Sequence, residues 1–122
     1  MIGYVTVGTN DLERARAFYD ALLGEMGAQR IMNNDRLTIY AADPTQPMLA
    51  VCKPFDEKEA TVGNGMMVAL AAGSRENVDK LYAKALELGA TSEGEPGERM
   101  PTFYGGYWRD LDGNKFVAFQ MG

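Results

Sequence analysis

The chain repeats one plan twice, and this duplication constrains its fold more than any other feature. Adding 63 to a residue number takes Tyr4 to Met67, Val5 to Val68, Asp11 to Ser74, Glu13 to Glu76 and Tyr19 to Tyr82. Gly27-Ala28 meets Gly89-Ala90 after a one-residue slip. Each copy opens with an apolar strand, a capping residue and an amphipathic helix closed by glycine. A period of this length is too long for a stacked solenoid repeat and suits two fused half-domains. With 122 residues the chain can build one domain of ordinary size, not two independent globules.

Ile2 to Gly8 alternates as a strand, with Val5 and Val7 on one face and Tyr4, Thr6 and Gly8 on the other. Asp11 is an N-cap, and Glu13 suits the positive end of the helix it opens. Leu12, Ala15, Phe18, Tyr19, Leu22 and Met26 form its apolar stripe. Short strands are expected at Gln29 to Met32, Leu37 to Ala41 and Met48 to Cys52, with turn chemistry at Asn33-Asn34-Asp35. Residues 1–53 thus form one half-module. Residues 54–62, with Pro54 and the charges Asp56 to Glu59, read as a solvated linker. Residues 63–122 form the second half-module. It has a strand from Met66 to Ala72, Ser74 as N-cap, and a helix with Val78, Leu81, Tyr82, Ala85 and Leu88 facing inward. Thr91 to Arg99 is expected to be a loop with at most a short strand. Thr102 to Arg109 and Lys115 to Met121 are strands around the tight turn Asp110 to Asn114. The fold class is α+β, built from two βαβββ half-modules.

There is no histidine. That removes the commonest general base near neutral pH and the commonest transition-metal ligand, and it rules out Ser-His-Asp and Cys-His mechanisms within the chain. The single cysteine, Cys52, cannot form an internal disulfide, in keeping with a reducing, cytoplasmic setting. Net charge is −5, from 12 basic and 17 acidic residues, with no basic cluster, which disfavours nucleic-acid binding. The longest apolar run, Met66 to Ala72, falls far short of the ~20 residues that span a bilayer. No signal-peptide pattern opens the chain. No phosphate loop is present either, since Gly63-Asn-Gly65 precedes a strand and not a helix.

The stretch Asp11-Leu-Glu-Arg-Ala-Arg-Ala-Phe-Tyr19, together with Arg109-Asp-Leu-Asp-Gly-Asn-Lys115 before the last strand, resembles the vicinal oxygen chelate superfamily. That group includes glyoxalase I, bleomycin-resistance proteins, fosfomycin-resistance enzymes and extradiol dioxygenases. The resemblance covers essentially the whole chain. It implies that each half curls its strands into a partial barrel around a cleft, with helices outside, and that the protein is a homodimer. In metal-dependent members four side chains, usually histidines and glutamates, reach the metal from the first and fourth strands of each half. Here the resemblance puts Tyr4, Leu49, Met67 and Val117 at those positions, with Val51 as the alternative to Leu49. Apolar side chains cannot bind a divalent cation, and a neutral tyrosine is a poor ligand. The expectation is therefore no metal and no cofactor.

Such a cleft becomes an apolar, aromatic-rimmed pocket for a small molecule, lined by Tyr4, Thr6, Tyr40, Leu49, Met67, Ala69, Tyr104, Trp108, Val117 and Phe119. Small Gly8, Ala69 and Ala71 leave room, and Met67 adapts to irregular shapes. Plain packing of Met67, Val117 and Phe119 in the barrel interior is the competing account. Arg30 and Arg99 could hold an anionic group or be solvated surface residues. No catalytic residue is identified. Glu98, in the glycine-rich segment before Arg99, and Tyr4 are the only candidates for acid–base work. The expected function is metal-free small-molecule binding, and the alternative is a glyoxalase-type lyase, isomerase or dioxygenase with a non-standard site. A purely structural or interaction role would leave the cleft filled by side chains.

Overall fold

The computed structural model describes all 122 residues. It divides into two compact units, Met1–Thr61 and Val62–Gly122. The first contains β1 (Tyr4–Gly8), α1 (Leu12–Gly24), β2 (Gln29–Asn33), β3 (Leu37–Ala41) and β4 (Met48–Cys52). The second contains β5 (Val68–Ala71), α2 (Arg75–Glu87), β6 (Thr91–Met100), β7 (Phe103–Arg109) and β8 (Lys115–Met121). The sheets run β1-β4-β3-β2 and β5-β8-β7-β6, so the duplication extends to topology. In each, the first strand pairs in parallel with the last and the remaining pairs are antiparallel. Neither sheet closes into a barrel.

Both helices begin where the sequence supplies a side-chain acceptor. Asp11 accepts from the Arg14 N–H at 3.1 Å and Ser74 from the Asn77 N–H at 3.0 Å, each satisfying a donor that the first helical turn leaves free. Beyond α1 the chain turns through Gly27, whose φ of +76° suits a residue without a Cβ. Leu12, Ala15, Phe18, Tyr19 and Leu22 of α1 and Val78, Leu81, Tyr82 and Ala85 of α2 are buried against their own sheets, as the spacing requires. Burying such side chains contributes roughly 1.5–3 kcal/mol each for the larger aliphatic ones, which outweighs the modest propensity of either helix.

One element departs from the sequence reading. The segment expected to be a loop at Thr91 to Arg99 is the long strand β6. It lies at the edge of its sheet, and its register shifts between Ser92 and Gly94, Gly94 and Gly97, and Glu98 and Met100. An edge strand tolerates proline, and bulges absorb the glycines that made the segment look irregular.

The Asp110–Asn114 turn explains itself chemically. The Asp110 carboxylate accepts from the Asp112 N–H at 2.9 Å, the Asn114 N–H at 2.8 Å and the Asn114 side-chain amide at 2.9 Å, while Gly113 takes φ +91°. This part of the motif therefore fixes a hairpin.

Candidate functional site

Each sheet has one face covered by its helix and one face free of it. In the first unit Tyr40 donates its hydroxyl to Asp20 of α1, and Thr38 bonds Arg16 of α1, so both side chains lie on the helix side. Their register partners Leu49 and Val51, and beyond these Val5 and Val7, share that side. The opposite face carries Tyr4, Thr6 and Gly8 of β1, Ala50 of β4 and Ile39 of β3. In the second unit Tyr104 donates to Asp79 of α2 at 2.7 Å, and a Cβ on Gly106 would meet Tyr82 of α2 at 3.3 Å. Tyr104, Gly106 and Trp108 are therefore on the helix side, with Phe116 and Ala118. Phe103, Gly105, Tyr107, Lys115, Val117, Phe119 and Ala69 occupy the other.

This parity revises four of the expected cleft residues. Tyr40 and Trp108, 2 % and 0 % exposed, pack beneath their helices. Tyr104 is hydrogen-bonded to α2. Leu49 stands one residue out of phase: Val117 pairs with Ala69, and the residue paired with Thr6, the counterpart of Ala69, is Ala50. Leu49 pairs instead with Val5, on the α1 side, and the alternative Val51 shares that side. By strand pairing, the residue in phase with Val117 is Ala50. Tyr4, Thr6, Ala69, Val117 and Phe119 lie on the helix-free faces of their own sheets, and Met67 immediately precedes β5. Tyr4 and Met67 are about half exposed, whereas Val117 is buried.

The acid–base candidate Glu98 pairs in register with Tyr104, on the α2 side, and forms an ion pair with Arg75 of α2 at 3.0 Å. That places it on the face opposite Val117. Arg30 is held by both oxygens of Asp20, at 2.9 and 2.8 Å, and is no free anion site. This pair draws the Asp20 carboxyl below its ordinary range against a smaller opposing effect of burial. Burial, assisted by the hydrogen bond to Asp20, raises the Tyr40 hydroxyl. No three His, Cys, Asp or Glu side chains come together as a metal-binding cluster.

On the helix-free face of the second sheet, Phe103 and Lys115 join the sequence-derived candidates Phe119 and Arg99. Phe103 and Phe119 stack with ring planes 2° apart and centroids at 5.6 Å. Tyr107 has the Arg99 guanidinium 5.3 Å and the Lys115 ammonium 5.8 Å from its ring centroid. Strict alternation along Phe103-x-Gly105-x-Tyr107 and Lys115-x-Val117-x-Phe119 was the available signal.

The first unit also has a concavity of about 610 Å³ at the ends of its strands, bordered by Thr9, Asn10, Arg36, Lys53 and Phe55 among others. Its exposed charges are of both signs, and Arg36 covers Phe55 at 5.6 Å. None of the expected site residues borders it. No helix is long and apolar enough to cross a membrane.

A family model for the Glyoxalase/Bleomycin resistance protein/Dioxygenase superfamily matches residues 1–118. No curated protein matches the chain. Among solved structures, a glyoxalase/bleomycin resistance protein from Albidiferax ferrireducens T118 is 36 % identical, with a TM-score of 0.91 over 100 % of this chain and 99 % of that one. A glyoxalase/bleomycin resistance protein/dioxygenase family enzyme from Burkholderia phytofirmans PsJN is 20 % identical, with a TM-score of 0.78 over 98 % of both chains. A lactoylglutathione lyase from Agrobacterium tumefaciens, at 21 % identity and a TM-score of 0.71 over 98 % of this chain and 92 % of that one, shares the fold. The duplicated βαβββ topology and the family match agree, and the chain belongs to the Glyoxalase/Bleomycin resistance protein/Dioxygenase superfamily.

Proposed function

We propose that this protein binds a small molecule without a metal, on the helix-free faces of its sheets. What supports the reading is the set of side chains at the four positions that the family resemblance marks for metal ligands, with the fourth taken from strand pairing. They are Tyr4, Ala50, Met67 and Val117. Methyl and isopropyl groups offer no lone pair, a thioether is soft, and a neutral phenol is a poor donor, so this set does not fit a hard or borderline divalent cation. Replacing ligands with apolar groups leaves surfaces suited to burial and stacking of a partly apolar molecule. The same reading takes the protein as cytoplasmic, with Cys52 as a free thiol.

Elemental analysis of the purified protein, followed by thermal-shift titration with Ni, Zn, Mn and Fe(II), tests this directly. Specific binding to the native state raises the melting temperature with ligand concentration. The expected result is no stoichiometric metal and no shift. Stoichiometric metal with a concentration-dependent rise overturns the reading and returns the chain to the metal-dependent lyases, isomerases and dioxygenases.

The protein is also proposed to work as a homodimer. Apolar Tyr4 on the edge strand β1, and Ile31 and Met32 on the edge strand β2, are each about half exposed, and a second copy would cover such edges. Light scattering coupled to gel filtration is expected to give twice the 13.4 kDa chain mass, and a monomer mass at micromolar concentration rejects the dimer.

A further inference from the structure

We infer that the helix-free face of the second sheet selects a planar aromatic anion, such as an aromatic carboxylate. The inference rests on the small-molecule reading above and deepens it by naming the ligand class.

Two features of one face carry it. The first is an aromatic surface: Phe103 and Phe119 stack, and Tyr107 stands beyond the bare backbone of Gly105. A Cβ at residue 105 would meet Phe103 at 3.0 Å and Val117 at 3.1 Å, so glycine there lets the rings close over the buried Val117 as one apolar floor. Flat rings stack well on such a floor.

The second feature is unbalanced charge. Of the cations in the second unit, Arg75, Lys80, Lys84 and Arg109 each pair with a carboxylate. Arg99 and Lys115 pair with none, and these are the two that share the Tyr107 ring. Both charges gather on one ring, at 5.3 and 5.8 Å from its centroid, so this part of the face carries a positive potential that a bound anion would offset. Arg99 is held there, not left to wander: its guanidinium bonds the Glu95 carbonyl and lies over Gly94 and Gly97, where side chains would block it. A fixed arginine and a nearby lysine beside an aromatic floor complement a ring that carries a carboxylate.

The test is isothermal titration of the full chain with 2-naphthoate, 2-naphthylmethanol and cyclohexanecarboxylate. Naphthoate is expected to bind at least about tenfold more tightly than either comparator, because only it uses both ring and charge. Arg99→Gln and Lys115→Gln are each expected to weaken naphthoate about five- to tenfold and to flatten its salt dependence. Their circular dichroism and melting temperature serve as the fold control. Arg99 is exposed on an edge strand, so its variant remains informative if the other fails to fold. Equal binding of naphthoate and naphthylmethanol overturns the anion preference while leaving the small-molecule reading in place. Equal binding of naphthoate and cyclohexanecarboxylate overturns the aromatic preference in the same way. No binding of any probe at millimolar concentration overturns both. If the two variants instead convert a dimer to monomer, the face is occupied by a second copy and the inference falls.

Discussion

Arg99 lies across Gly97 so closely that a methyl group at residue 97 would come within 2.8 Å of its Nη1. The group in the way is the end of a flexible side chain, and Gly97 has no positive φ to protect. Gly97→Ala is therefore expected to lift Arg99 from Tyr107 while changing stability by no more than about 0.5 kcal/mol. Gly106 gives the contrast. A Cβ there would meet Pro96 at 3.1 Å and Tyr82 at 3.3 Å, where α2 packs on the sheet. Gly106→Ala should cost roughly 1–3 kcal/mol as overpacking. Urea denaturation of the two variants side by side checks the difference, and equal losses would contradict it.

That contrast also shows what the sequence could and could not reveal. The strands, helices and caps were legible because apolar spacing and capping residues are local signals, and the duplication supplied the topology twice. Facing was harder. A one-residue shift between two short strands is enough to move a side chain through the sheet, and pairing puts Ala50, not Leu49, in phase with Val117. Tyr40, Tyr104 and Trp108 carry a related ambiguity: aromatic residues suit a cleft wall and a helix–sheet core equally well by composition. Only the partners of their polar atoms, Asp20 for Tyr40 and Asp79 for Tyr104, decide the side. The β6 strand was hidden because glycine and proline signal a loop locally, while an edge position tolerates both.

The Asp20–Tyr40 pair should make stability fall at both ends of the pH scale. Asp20 is drawn below its ordinary value of 3.8, chiefly by Arg30, so its contribution is present above that pH and is lost as pH falls through the lowered value. Tyr40 is raised above 10.0, chiefly by burial, so its contribution is complete below pH 10.0 and is lost as pH climbs past it. The Asp20 side chain is 46 % exposed, which keeps its ion-pair share to about 0.5 kcal/mol. Tyr40→Phe is expected to cost about 1 kcal/mol at neutral pH and to remove the alkaline limb. Melting curves from pH 3 to 11 check this, and a variant that retains the alkaline loss would assign it to another group.

Arg16 is the buried cation of α1, 7 % exposed, and it ties the helix to the β2–β3 turn. Its Nε donates to Thr38 Oγ1 at 2.7 Å, its Nη1 pairs with Glu13 at 2.7 Å, and its Nη2 bonds the carbonyls of Asn34 and Leu37. Arg16→Met fills much of the volume but leaves these acceptors without their donor, with an expected loss of about 2–4 kcal/mol. Arg16→Lys keeps the charge without the planar fork and should fall between the two. Chemical denaturation measures both, and a lysine variant as stable as the parent would show that charge alone holds the turn.

Trp108 provides a direct optical test of sheet facing, because it is the only tryptophan. It is fully buried, stacked on Phe116 with ring planes 2° apart and centroids at 5.9 Å. Its indole N–H has no hydrogen-bond partner. Native emission should therefore be blue-shifted and insensitive to iodide, and both properties should disappear together on unfolding. A tryptophan bordering an open cleft would instead be quenched in the native state. The orphan N–H also sets the cost of replacement. Trp108→Phe loses packed volume but removes a buried donor whose desolvation costs roughly 1–3 kcal/mol. The net loss should then be about 1–2 kcal/mol, well below the 3–5 kcal/mol typical of cutting a buried tryptophan to alanine. A larger loss for the phenylalanine variant would mean that the indole nitrogen is satisfied in solution, by a bound water or a shifted backbone carbonyl.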